Sequence, residues 1–167
     1  MLVSKGVLAQ IDFPNQVRED LTLSEGVYII NGTSYVKKGV KLTITGNASL
    51  LLGKNATVRI DGALIIQGKP NKLINITSAD KQHPGNGIII NGVSSDQSVV
   101  IDYVRFDYIK KPITFEFRWS RDSVAITNNV IKRSRYEGAA IEVKEIDNLL
   151  TPKKIYFDFK GNTFSNS

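Results

Sequence analysis

The sequence predicts an all-β fold built by repetition, a single-stranded parallel β-helix of about five coils. Three observations predict it. Apolar residues come in short bursts, each cut off by Gly, Asn, Pro or Lys, as in VRIDGALIIQGKPNKLINITS (Val58 to Ser78). No window of 11 or more residues keeps an apolar face at i, i+3, i+4, i+7, so long helices are not expected. The second half also repeats itself. SVVIDYVRF (Ser98 to Phe106) aligns with SVAITNNVI (Ser123 to Ile131) at an offset of 25, and KIYFDFKGNTF (Lys154 to Phe164) aligns with the second copy at an offset of 33.

The bursts, rich in Val, Ile, Leu, Phe and Tyr, give the predicted strands in order. They are residues 27–30, 42–44, 50–52, 58–60, 64–66, 73–76, 88–90, 99–106, 113–117, 124–126, 139–143 and 155–159. Ahead of each aligned copy lies a further strand: GIII, then PITFEF, then GAAIEV. Repeats made only of short strands fit a parallel β-helix or a propeller. A propeller blade joins antiparallel strands by two-residue turns, for which the dipeptides Asn31-Gly32 and Asn91-Gly92 could serve. The strands, however, run two or three apolar residues and then bend. That suits a coil with short faces, each coil about 4.8 Å above the last.

Gly and Asn tolerate the backbone conformations such bends need, which β-branched residues resist. The alignment stacks Ile101, Ile126 and Phe159 in one interior column and Phe106, Ile131 and Phe164 in another. It also superposes Asn129 on Asn162, so an amide ladder between neighbouring coils is expected there.

The run GVKLTITGNASLLLGKNATVRIDGALIIQGKPNKLINITSAD resembles the opening coils of right-handed parallel β-helix proteins of the pectin-lyase-like superfamily. The pattern rests on Gly39, Leu42, Ile44, Gly46, Gly62, Leu64, Gly68, Ile74, Thr77 and Ser78. PGNGIII, VVIDYVRFDY and TNNVIKRSRYEGAAIEV are similar to later coils of this group. The resemblance spans residues 21–167 and implies a right-handed helix there. It leaves residues 1–20 as an N-terminal cap segment. It does not select a function, because the group includes lyases, hydrolases, adhesins and scaffolding ectodomains.

The 167 residues suit one domain with a real core. A formal charge of +6 favours acidic partners. There is no cysteine, so neither disulfides nor thiolate metal sites are available. No stretch reaches the ~20 apolar residues of a membrane-spanning helix. The apolar burst after Lys5 is too short for a signal-peptide core. GNTFSNS stops inside the repeat pattern, which suggests a piece of a longer chain.

Candidate chemistry is sparse. Glu116 and Glu142 align on equivalent outward positions, and carboxylates within about 5–7 Å can share acid and base roles on a glycosidic bond. The plainer reading is two solvated glutamates neutralised by Arg118 or Lys144. Enzymes of the resembled group gather several Asp residues on one face. Here Asp102, Asp107, Asp122 and Asp158 are scattered, and Asp107 over Lys132 reads as a cross-rung ion pair. No catalytic residue, metal or cofactor is therefore implied. His83, the single histidine, lies in the loop ADKQHPGNG with no triad or metal partner in sequence. Four sequons, at Asn31, Asn47, Asn55 and Asn75, follow the Asn and Thr content of β-helix turns.

The basic residues are more suggestive. Lys110 and Lys111 follow one aligned strand, and Lys132, Arg133 and Arg135 follow the next, with Tyr108 and Tyr136 nearby. Stacked coils would set them on one edge, able to meet an acidic polysaccharide in preference to nucleic acid. The plainer reading is solvated turns whose charge blocks edge association. Trp119 is either a core corner or a sugar-stacking platform. The expectation is a non-catalytic, rigid extracellular or cell-surface module, joined to neighbouring domains of the same chain, that offers a glycan- or protein-binding surface. A polysaccharide lyase or glycoside hydrolase domain is the alternative.

Overall fold

The computed structural model describes residues 10–91, 98–117, 123–134, 140–145 and 156–165. Among them the regular elements are all strands. In chain order they are β1 (Gln10–Asp12), β2 (Gln16–Val17), β3 (Leu21–Ile30), β4 (Thr33–Val36), β5 (Lys41–Leu52), β6 (Thr57–Ile60), β7 (Ala63–Gln67), β8 (Ile74–Ser78) and β9 (Gly87–Asn91). There follow β10 (Val99–Asp102), β11 (Val104–Asp107), β12 (Ile113–Phe117), β13 (Ser123–Thr127), β14 (Val130–Lys132), β15 (Ile141–Glu145), β16 (Tyr156–Lys160) and β17 (Thr163–Ser165). No helix in the described residues is long and apolar enough to cross a membrane.

The strands pair in parallel and sort into three rows. Row one holds the first halves of β3 and β5, then β7, β10, β13 and β16. Row two holds β1, the second halves of β3 and β5, then β8, β11, β14 and β17. Row three holds β2, β4, β6, β9, β12 and β15. Because β3 and β5 run through rows one and two, those rows form one 11-stranded sheet, while row three is a separate 6-stranded sheet. From β3 to β15 the chain visits rows one, two and three in that order, over and over. One visit to the three rows is called a rung below.

The sequence offsets are the registers. Val99 pairs with Val124, and Val124 with Phe157. Side chains alternate across a strand, so a register held over many rungs stacks like with like. Row one stacks Leu23, Ile44, Ile66, Ile101 and Ile126, all buried, beneath Phe159. Row two stacks Leu50, Ile76, Phe106 and Ile131 beneath Phe164. Row three stacks Val36, Ile60, Ile90 and Phe115. Each such side chain stabilises the fold by about 1.5–3 kcal/mol when fully covered.

Corners between rows explain where the predicted strands divide. The residues that follow row one are aligned: Gly46, Tyr103, Asn128 and Gly161. All four are left-handed, at φ 65, 53, 55 and 66°. At Gly46 the bend leaves β5 unbroken, so the predicted strands 42–44 and 50–52 are one element. At Tyr103 it splits the predicted strand 99–106 into β10 and β11. The backbone ladder still crosses the corner, since Tyr103 N–H donates to Thr127 O and Asn128 N–H to Lys160 O. The strand β4 (TSYV) escapes the apolar signal because buried Ser34 takes one of its two inward positions.

The expected asparagine ladder is present and bridges this corner. Asn129 is fully buried. Its Oδ1 accepts from Val104 N–H at 2.8 Å, and its Nδ2 donates to Ile101 O at 2.8 Å. One rung on, Asn162 repeats both contacts. It accepts from Asn129 N–H at 3.0 Å and donates to Ile126 O at 2.8 Å. The two amides also bond to each other, Asn129 Nδ2 to Asn162 Oδ1, at 3.0 Å. Each amide thus satisfies two inward-turned backbone groups of the rung beneath it, which would be costly if left unpaired.

Candidate ligand-binding site

The second corner, where row two gives way to row three, gathers the basic residues. β11 ends at Asp107 and β14 at Lys132, and these two residues are in register. The next residues, Tyr108 and Arg133, are therefore equivalent, and both are left-handed, at φ 56 and 47°. For a non-glycine residue this conformation costs about 1–2 kcal/mol. Ser78, buried, occupies the same position one rung earlier. Its hydroxyl donates to Tyr108 O at 2.6 Å and accepts from Gly85 N–H at 2.8 Å, which braces the strained Tyr108 backbone.

The strained pair builds a compact cationic and aromatic cluster. The Arg133 guanidinium lies 4.5 Å from the Tyr108 ring centroid, and Lys81 Nζ lies 4.8 Å from the same centroid. Such contacts are attractive because the ring face is electronegative. Arg133 grips Asp107 with two bonds, from Nε to Oδ1 at 2.8 Å and from Nη2 to Oδ2. Hydrogen bonding to Asp107 holds the Arg133 pKa above its usual value. The predicted Asp107/Lys132 register is therefore correct, but the ion pair belongs to Arg133. A guanidinium fork matches both carboxylate oxygens, whereas an ammonium is a single point charge.

Lys110 and Lys111 begin the path to row three. Lys110 Nζ donates to Asn55 Oδ1 at 2.5 Å, and Lys111 Nζ pairs with Glu142 Oε2 at 2.9 Å. Of the cations at this corner, Lys81, Lys110 and Lys132 have no carboxylate partner among the described residues. Arg135 and Trp119, also named from the sequence, lie outside the described residues. Lys81 and Asn55 were missed. Their contribution depends on how the loops that carry them lie against Tyr108 and Lys110, and no local pattern encodes that.

The two glutamates aligned in sequence do not stand opposite each other. Thr114 pairs with Glu142, and Glu116 pairs with Lys144, so the two glutamates are offset by two residues. The repeat between β12 and β15 is 28 residues long, and the sequence alignment of these strands slipped by two within it. Parity survived a slip of two, which is why both glutamates still face outward. Glu116 accepts from Arg59 Nη2 at 2.8 Å, and the same Nη2 lies 3.3 Å from Asn91 Oδ1. Asn91 Nδ2 donates in turn to Asp61. Glu142 is held by Lys111. Each carboxylate thus has its own cation and sits in a different column of the row-three face.

Other candidates resolve locally. His83 Nδ1 lies 2.7 Å from Asp80 Oδ2, and both side chains are half exposed. This contact, with the Gln82 backbone N–H, draws the Asp80 pKa below its usual value. Thr127 and Asn128 donate to Asp102 Oδ1 at 2.7 and 2.9 Å, so that carboxylate serves the first corner. Among the described residues no group of three or more His, Cys, Asp or Glu is placed to hold a metal ion. No protein-family model, curated protein or solved structure matches the chain.

Arg133→Gly separates strain from contact at this site. Glycine relieves about 1–2 kcal/mol of backbone strain. It loses a partly exposed ion pair and a cation–π contact, each worth about 0.5–1 kcal/mol. The expected change in stability by urea unfolding is within about 1 kcal/mol of zero. A loss beyond about 2 kcal/mol would show that the Asp107 contact outweighs the strain.

Proposed function

We propose that this chain is a rigid, non-catalytic segment of a right-handed parallel β-helix of the pectin-lyase-like kind, and that its second corner binds an acidic polysaccharide. The return of the chain to the same three rows supports a helical path. Parallel connections of this kind are right-handed in nearly all proteins. The pairing of Glu116 with Arg59 and of Glu142 with Lys111 favours surface structure over acid–base chemistry for those glutamates. A surface or extracellular setting suits such a ligand.

One observation carries the binding reading: Tyr108 and Arg133 are held left-handed at equivalent positions in successive rungs, within a cluster of cations. Strained large residues persist where the surroundings fix them, and they concentrate at binding sites. Lys81, Lys110, Lys132 and Arg133 then present positive charge along one corner, spaced by the rungs. An extended polyanion lying across the rungs meets several of them at once.

The test is titration of the protein with polygalacturonate at low and moderate salt. The expected result is binding that weakens as salt rises, because these cations are solvent-facing. The triple variant K81A/K110A/K132A should bind at least about tenfold more weakly, while the lost Lys81–Tyr108 and Lys110–Asn55 contacts lower its stability by only about 1–2 kcal/mol. Equal binding by the variant, or no binding at low salt, overturns the proposal. Product release from the polysaccharide is the readout for the lyase or hydrolase alternative. Release that is lost in Glu116→Gln or Glu142→Gln would establish that alternative.

A further inference from the structure

The first corner carries one insertion. The rungs of β5, β10 and β13 turn from row one to row two through a single left-handed residue, but the rung of β7 inserts the turn Lys69–Pro70–Asn71–Lys72. Lys69 and Lys72 exchange both backbone hydrogen bonds, at 3.0 and 2.9 Å, so they stand directly opposite each other. Opposite residues of an antiparallel pair project to the same face, with Cβ atoms about 5 Å apart. Both lysines are exposed, and neither has a carboxylate partner among the described residues. Like charges held opposite each other destabilise the pair. Pro70 fixes φ at the first turn position, so the turn has little freedom to splay them. The turn thus gives up stability to hold two ammonium groups side by side.

From this turn a diagonal of cations crosses row two. Arg105, exposed, lies one rung on and level with Asn75, just past the turn. Its cross-strand neighbours, Asn75 and Val130, are uncharged. Lys132 lies one rung further, level with Thr77 and Asp107, and Arg133 follows it at the second corner. Strand rise and strand spacing put the two ends of this diagonal about 15–20 Å apart. The other two faces lack cations in the same rungs. β7, β10 and β13 in row one, and β9 and β12 in row three, contain no Lys or Arg. In a chain of net charge +6, this arrangement concentrates positive potential on row two and its two corners.

Resting on the acidic-polysaccharide reading above, we infer that the Lys69–Lys72 turn is a second anion subsite, and that the polysaccharide crosses row two obliquely, from this turn past Arg105 to the second corner. A carboxylate seated between the two ammonium groups cancels their repulsion, so the ligand stabilises the turn that holds it. Only a chain several sugars long reaches both corners. Once one corner is engaged, the other binds at a high effective concentration, so two weak subsites act as one firmer site.

Titration calorimetry with polygalacturonate over a series of salt concentrations tests this. K69A/K72A should weaken binding about fivefold or more, and should lower the slope of log affinity against log salt by roughly 1–2. The exposed pair Lys37 and Lys38, between β4 and β5 where row three gives way to row one, supplies a control of equal charge. K37A/K38A should leave the slope unchanged and weaken binding by less than about twofold. K69A/K72A should unfold in urea at a midpoint no lower than that of the wild type, since it removes a like-charge pair. A lower midpoint would make the two lysines part of the fold and overturn the subsite. Wild-type binding that K69A/K72A leaves unchanged overturns the subsite but spares the second-corner reading. Equal losses in the two double variants also overturn it, because net charge alone would then set the affinity. No binding by the wild type removes the second-corner reading, and the subsite with it.

Discussion

Asn129→Ala should lower the stability of this protein by about 3–5 kcal/mol, because it leaves two buried backbone groups unpaired at once. Val104 N–H loses its acceptor and Ile101 O loses its donor, at a position with no solvent access. An unsatisfied buried polar group costs about 1–3 kcal/mol, and the missing amide adds a small void. Urea unfolding measures the loss, as a midpoint lower by roughly 1–2 M for a chain of this size. Asn129→Asp should be at least as damaging. It keeps an acceptor for Val104 but turns a carboxylate oxygen toward Ile101 O, in a place that also penalises charge. Asn162→Ala is the internal comparison. Asn162 makes the same two backbone contacts but is only half buried, so water can replace the lost amide. Its loss should be about 1–2 kcal/mol. Equal losses at the two positions would mean that burial does not decide the strength of the ladder.

Gly87→Ala should cost about 3–5 kcal/mol for two separable reasons. Gly87 has φ +114°, a conformation that side chains rarely adopt. A β-carbon there would also stand 2.0 Å from Lys111 O and 2.9 Å from Pro112 O, both backbone atoms of the next rung. The rungs would have to separate where Ile88 N–H donates to Pro112 O and Lys111 N–H donates to Asn86 O. Gly32→Ala isolates the conformational part. Gly32 has φ +93°, but nothing lies within 4 Å of its virtual β-carbon. That variant should lose only about 1–2 kcal/mol. Thermal or urea unfolding of the pair thus divides strain from contact. A Gly87 variant no worse than the Gly32 variant would show that the next rung yields freely. Because Lys110, one of the proposed binding cations, adjoins Lys111, displacement of this backbone should also disturb polyanion binding at the second corner.

Much of the fold was legible in sequence wherever the chain repeats closely. The offsets of 25 and 33 between residues 98 and 164 gave the register of β10, β13 and β16 and of β11, β14 and β17 to the residue. The alignment also placed Asn129 beneath Asn162, and the amide ladder followed. Legibility failed where rungs differ in length or polarity. The span between β12 and β15 is 28 residues, not the 26 of the alignment, so Glu142 was set opposite Glu116 when it stands opposite Thr114. β4 was missed because an inward serine looks polar in a linear reading. The positive φ at Tyr103, Tyr108 and Arg133 was unreadable, since none of the three is a residue type that favours it.

The sequence by itself determined an all-β chain, its repeating registers, its interior columns and the basic residues at one corner. These follow from local rules: alternation along a strand, bends at Gly and Asn, and like residues recurring at a constant offset. Tertiary structure alone decided which cation meets which acid. Asp107 joins Arg133 although it lies in register with Lys132, Glu116 joins Arg59 from two strands away, and Lys81 reaches Tyr108 from a distant loop. Long charged side chains have many partners within reach. Which one wins depends on backbone direction at each corner and on the path of the loops, and neither is written in the spacing of residues along the chain.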